Sequence, residues 1–253
     1  MEDLSYKTVF VIPTAYQWGK IPLLAELFPR GLAITETVVI SWFIMLILIG
    51  FALVATSKKS LVPVGLQSLS EAAVEALNTF AKNQFGRWAR FLGPYMGTLF
   101  LFLLLANIIG FLTPVEFSFL GHEYKAPFAI KPPTRDINVT APLAVITVLF
   151  TLFFGFASKG PLGWLKKLTY PVPFMLPFNI MEYGTRLLSL SLRLFGNILG
   201  GMILMILITG LEPLGLPALF SLYFDFFDGI LQAAIFVFLS VLYISEACEV
   251  EKA

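Results

Sequence analysis

The chain has 253 residues, 58% of them hydrophobic and 13% charged, with a formal net charge of +1 and a mean hydropathy of +0.85. That balance excludes a soluble domain and describes an integral membrane protein lying in a lipid bilayer. No basic block reads as a nucleic-acid surface, the lone Cys248 excludes a disulfide framework, and the single His122 reads as a loop residue, so neither a metal nor a cofactor is expected.

Residues 1–34 mix Tyr6, Phe10, Tyr16 and Trp18 with Lys7, Lys20 and Arg30, and prolines interrupt any helix, so this stretch reads as an interfacial tail. Its acidic start, Glu2 and Asp3, lacks the basic region of a cleaved leader and reads as retained. A first span covers 35–57 and ends at Lys58 and Lys59, which place that end on the cytoplasmic side. Ser68 and Glu71 have capping-box spacing, and Leu66, Leu69, Ala73, Leu77 and Phe80 recur at helical steps. Residues 66–89 therefore read as an amphipathic helix lying on the membrane.

A second span, 91–114, carries no acid or base after Phe91 but holds Asn107, a candidate for bonding a neighbouring helix. The polar stretch from Val115 to Ile137 is too broken to be embedded throughout, and a third span follows at 138–158, leaving at Lys159, Lys166 and Lys167. Two long apolar helices complete the chain, 174–211 and 217–250, separated by a turn with no lysine or arginine. The fold class is thus all-α, with five crossings plus one interfacial helix, forming a single membrane domain over 1–253. The N-terminus lies outside and the C-terminus inside. Lysines and arginines favour this orientation nine to six, leaving aside Arg186 and Arg193. The last two helices exceed the roughly 20 residues that cross a bilayer upright, so they must tilt strongly or run beyond it.

The fourth of these spans carries the chemistry. Arg193 stands about 25 Å from either end of its apolar helix, where a guanidinium costs roughly 2.5–3.5 kcal/mol and is too deep to snorkel. At about 100° per residue, Glu182, Arg186, Ser189, Gly196, Asn197 and Gly200 all fall within about 60° of it. Gly196 and Gly200 form a small-xxx-small pair that lets a partner helix come close. On the last helix the spacings of Asp225, Asp228 and Gln232 place all three on one face. Guanidinium does not deprotonate, so Arg193 acts as a fixed cation that favours an ionised carboxylate nearby and bars a cation from leaking straight through.

Residues 189–197, Ser-Leu-Ser-Leu-Arg-Leu-Phe-Gly-Asn, resemble the signature of subunit a of F-type ATP synthases. Residues 133–140 (Pro-Thr-Arg-Asp-Ile-Asn-Val-Thr) resemble the opening of that family's third span, and Leu231-Gln232-Ala233 with Phe236 and Tyr243 resembles its last helix. The resemblance implies a stator subunit facing a rotating c-ring in a bacterial plasma membrane. Two offset half-channels would exchange H⁺ or Na⁺ with the ring carboxylate, coupling ion flow to ATP synthesis. It implies no catalytic site of the chain's own, and as partners the c-ring, the peripheral-stalk subunit b, the F1 sector indirectly, and lipid. Arg193 is then the essential charge, with Asn197 and Gln232 beside it, Asp136 and Asn138 at the outer entrance and Glu182 at the cytoplasmic exit. Many relatives have a glutamate where this chain has Met202, and Asp225 is the candidate replacement. The competing readings are a transporter or channel in which Arg193 binds an anionic substrate, and a purely structural subunit. The absence of two matching halves speaks against the former.

Overall fold

A computed structural model describes residues 8–12, 32–57, 65–112, 117–119, 122–124, 131–170, 172–211 and 216–248. Most of the tail 1–34, the acids Glu249 and Glu251 and the lysines at 58 and 59 lie outside them. Five helices are long and apolar enough to cross a membrane, and the chain is an all-α integral membrane protein. Two small antiparallel ladders flank the helices: β1 (Thr8–Ile12) pairs with β2 (Leu32–Thr35), and β3 (Phe117–Phe119) with β4 (His122–Tyr124).

Helix α1 (Glu36–Ser57) is apolar on every side, with almost no amphipathic bias, so nothing in its sequence selects one face for the protein. It touches the rest through Ile44, which packs with Ala106 and Ile109, and through Thr37 at its start. Helix α2 (Leu66–Phe85) begins after Gly65, whose φ of 61° a side chain would strain, and ends at Gly86 with φ 50°. Its start precedes Ser68, and Glu71 accepts from Gln67 Nε2 at 2.8 Å, so the expected capping box does not open it. Leu77, Phe80, Ala81 and Phe85 pack on the core, whereas Leu69 and Val74 stay exposed.

Helix α3 (Ala89–Ile108) follows through one 3₁₀ turn. Helix α4 runs Ile137–Thr169 but breaks at Gly160, whose φ of 72° and ψ of 172° are available to glycine alone, and Pro161 starts the second piece. Asp136 caps α4 by accepting from the Asn138 amide at 2.9 Å. Helix α5 (Leu176–Leu211) has 36 residues, about 54 Å of rise against a hydrocarbon core about 30 Å thick. The final apolar stretch is not one regular helix: α6 (Leu216–Ser221) passes into a π-helical turn (Leu222–Phe227) before α7 (Asp228–Cys248).

The core lies where α2, α3, α4, α5 and α7 meet. Phe236 is its largest fully buried side chain, surrounded by Leu92, Met96, Leu103, Leu190, Leu194 and Ile244. Burying such a side chain contributes about 1.5–3 kcal/mol in water, but lipid is as apolar as leucine, so packing and interhelical hydrogen bonds must hold the bundle. Three hydroxyls provide one such link. Tyr95 of α3 lies 3.0 Å from Thr147 of α4, which lies 3.2 Å from Ser240 of α7.

Candidate functional site

Three polar clusters run along the α5–α7 contact. In the middle, Arg193 sits on an exposed flank of α5, its Nη2 donating to Ser189 Oγ at 3.2 Å one turn back, the direction in which helical side chains lean. Among the described residues it has no ion pair. Gly196 and Gly200, on the same flank, have nothing within 4 Å of an added Cβ, so the groove they form faces away from this chain. Asn197, one turn beyond Arg193, points the other way. Its Nδ2 donates to Asp228 Oδ2 at 2.6 Å and to Gln232 Oε1 at 3.3 Å. The stripe expected on α5 therefore straddles the edge of a helix contact, with the arginine and glycines outside and Asn197 inside.

Asp225 does not join Asp228 and Gln232. It accepts from Ser221 Oγ at 2.6 Å, one turn earlier. The reason is the π-helical turn at Leu222–Phe227, which holds more residues per turn than an α-helix and shifts the phase of everything before Asp228. Gly201 of α5 lies against Phe224 of this turn, the added Cβ falling 3.4 Å from the Phe224 Cβ.

At the Pro133 end of the bundle, Asp136 is 8% exposed and accepts from Thr37 Oγ1 at 3.1 Å and from the Asn138 backbone and side-chain nitrogens at 2.9 Å each. It serves both as a helix cap and as the tie to α1. Beside it Asn107, 3% exposed, donates to the Gly229 carbonyl at 3.0 Å and accepts from Thr134 Oγ1 at 2.7 Å. Asn107 is thus interhelical glue. Arg135 Nη1 lies 4.0 Å from Met202 Sδ.

At the opposite end Glu182 pairs with Arg186, whose Nη2 also reaches Glu246 Oε2 of α7 at 2.7 Å and whose guanidinium lies over the Tyr243 ring at 4.6 Å. Lys167 Nζ donates to the Glu246 carbonyl at 3.0 Å. The sequence reading included Glu246 only as part of the span 217–250 and did not single it out as a site residue. The signal available was its three-residue spacing from Tyr243, one face of a helix opposite Arg186.

Among the described residues, a polar seam of Asn197, Asp228 and Gln232 thus lies beside an arginine that makes no ion pair. A family described as "ATP synthase A chain" matches residues 38–245. The chain belongs to the ATP synthase A chain family. A relative, "ATP synthase subunit a, sodium ion specific" of Propionigenium modestum, is 32% identical over 240 residues, covering 94% of this chain and 83% of that protein. The A chain match takes in most of each of the five long helices, with Asp136, Arg193, Asn197, Asp228 and Gln232, and stops one residue short of Glu246.

Proposed function

We propose that the chain is the ion-translocating stator subunit of an F-type ATP synthase, facing a c-ring and held by peripheral-stalk subunit b. The observation that carries this reading is the outward-facing Arg193, with no ion pair among the described residues, on one flank with the open glycines Gly196 and Gly200. A fixed cation on an open, apolar flank calls for a carboxylate from a neighbouring molecule, because an isolated charge in hydrocarbon is costly. The open groove is shaped for a closely approaching helix. A series of carboxylates, each arriving in turn on a rotating ring, meets that need without a permanent ion pair. Ser189 holds the guanidinium in the interval.

The polar clusters fit two offset half-channels. Asp136, Asn138 and Asp225 line the outer approach, Asn197, Gln232 and Asp228 the inner end of it, and Glu182 the cytoplasmic exit. Arg193 separates the two, which prevents a shortcut that would dissipate about 2.3 kcal/mol per charge per 100 mV. The sodium specificity in the relative's name makes Na⁺ a coupling ion to test beside H⁺. The orientation with the N-terminus outside, in a bacterial plasma membrane, belongs to the same proposal.

The deciding test is Arg193→Ala in the complete complex reconstituted in vesicles. Ion-driven ATP synthesis should be lost while the subunit still co-purifies with ring and stalk subunits. Normal coupled synthesis in that variant would sink the reading. Asp225→Asn should slow ion entry from the outer side.

A further inference from the structure

The centre of the α5–α7 contact contains an arrangement that the lining of a channel does not by itself require. Asp228 is held by Asn197 at 2.6 Å, Asn197 also donates to Gln232, and Gln232 is 3% exposed with its Nε2 buried and, among the described residues, without a hydrogen-bond partner. A buried donor without an acceptor carries a free-energy penalty. Here it lies in a cluster with a carboxylate, one helical turn from Arg193.

We propose that Asp228 is the proton-carrying carboxylate of this chain, taking a proton from water on the outer approach and passing it to the partner carboxylate that meets Arg193. Asn197 and Gln232 are its positioning residues. This rests on the stator reading above and names, within it, which acid carries the proton. Asp225, the other acid on this segment, is turned onto Ser221 and stands one step further out.

The choice of amides as neighbours is what allows the group to work in both directions. An ionised carboxylate only accepts hydrogen bonds, whereas a protonated one also donates. A lysine or arginine in contact would lock Asp228 in the ionised form. An amide offers an NH₂ to the carboxylate and, after a half-turn, its oxygen to the acid. In the present geometry the Asn197 NH₂ faces Asp228, the arrangement suited to the anion. On the outward-facing step a hydronium ion in the aqueous approach gives up a proton and leaves as neutral water, an O–H bond forms at an Asp228 carboxyl oxygen, and Asn197 turns its oxygen to accept from it. On the next step that O–H bond breaks, the proton forms a new bond to the partner carboxylate, and Asp228 returns to the anion. The Gln232 Nε2, buried and unengaged in the resting state, supplies the donor that Asn197 withdraws. A metal cation would need several converging oxygens, whereas Asp228 Oδ2 accepts from the Asn197 N–H, so this cluster suits a proton over sodium.

The test uses the complete complex in lipid vesicles, comparing the unaltered protein with Asp228→Asn, Asp228→Glu, Asp225→Asn and Arg193→Ala, with and without added sodium chloride. Asp228→Asn is expected to lower ATP-driven proton uptake about a hundredfold, the lower end of what a positioned acid–base group supplies. Asp228→Glu should restore most of it, Asp225→Asn should reduce it less, and sodium should not be required. Uptake in Asp228→Asn within about threefold of the unaltered complex, less than 1 kcal/mol in barrier, overturns the proposal while an inactive Arg193→Ala leaves the stator reading standing. An active Arg193→Ala brings down both. A requirement for sodium in the unaltered complex also overturns Asp228 as a proton carrier. If Asp228→Asn does not assemble, infrared difference spectra on acidification decide. The protonated-carboxyl band should shift between the unaltered complex and Asp228→Glu, and an unchanged band overturns the assignment.

Discussion

Asn107 illustrates how one amide can join three segments of a bundle that lacks a hydrophobic drive to associate. It links α3, the Thr134 turn and the first turn of α7. Replacing Asn107 by Leu leaves the Gly229 carbonyl and the Thr134 hydroxyl without this partner, a loss of about 1–3 kcal/mol. The complex should therefore lose thermal stability in detergent, read as a lowered Tm with the same subunit composition. At this scale the sequence was informative where chemistry is extreme. Arg193 is conspicuous in an apolar run, and an amide such as Asn107 is expected to bond a neighbour. The sequence says little about which partner is chosen: Asp228 and Asp225 look equivalent by spacing, and only the local helix type separates them.

Among the helices, glycines with opposite surroundings make a paired prediction. An alanine at Gly229 would place its Cβ 3.2 Å from the Asn107 Cβ, an atom fixed by two hydrogen bonds, so Gly229→Ala should destabilise by about 1–3 kcal/mol and reduce subunit accumulation in the membrane. At Gly196 and Gly200 the same methyl meets nothing within 4 Å among the described residues. Alanine there should leave accumulation unchanged, or raise it slightly, because helical glycine costs about 0.5–1 kcal/mol relative to alanine. Ion-driven synthesis should nevertheless fall in the reconstituted complex, since the groove on α5 is narrowed. Gly160→Ala tests the break in α4, where φ 72° disfavours any side chain, and should cost about 1–3 kcal/mol by thermal unfolding. Apolar length reveals such long helices but not their internal breaks. Gly160-Pro161 is a visible signal of one, whereas the π turn at Leu222–Phe227 has no glycine or proline to mark it.

For the molecule as a whole, the five long helices are legible because a lipid-crossing segment must be long and apolar, whatever its neighbours do. The two strand ladders were not, since pairings this short follow no such rule. The proposed orientation is open to a direct check. With Cys248 replaced by serine, single cysteines at Lys131 and Lys166 should react oppositely with a membrane-impermeant maleimide added outside intact cells. Labelling is expected at 131 and not at 166, and the reverse pattern would invert the assignment.

The cluster at Arg186 has a mechanical meaning. It fastens the first turns of α5 to the end of α7 through Glu246, and Lys167 fastens the broken end of α4 to the same residue. Asn179 of α5 adds a bond to the Leu168 carbonyl at 2.7 Å. If a ring drags sideways on the open flank of α5, that force is shared by three helices close to where α5 begins. In the proposed stator role α5 must resist torque without bending, and these contacts would act as its struts. Cutting Arg186–Glu246 should then matter more under a high opposing load, at low ATP-to-ADP ratio in the vesicle assay, than when the machine runs freely.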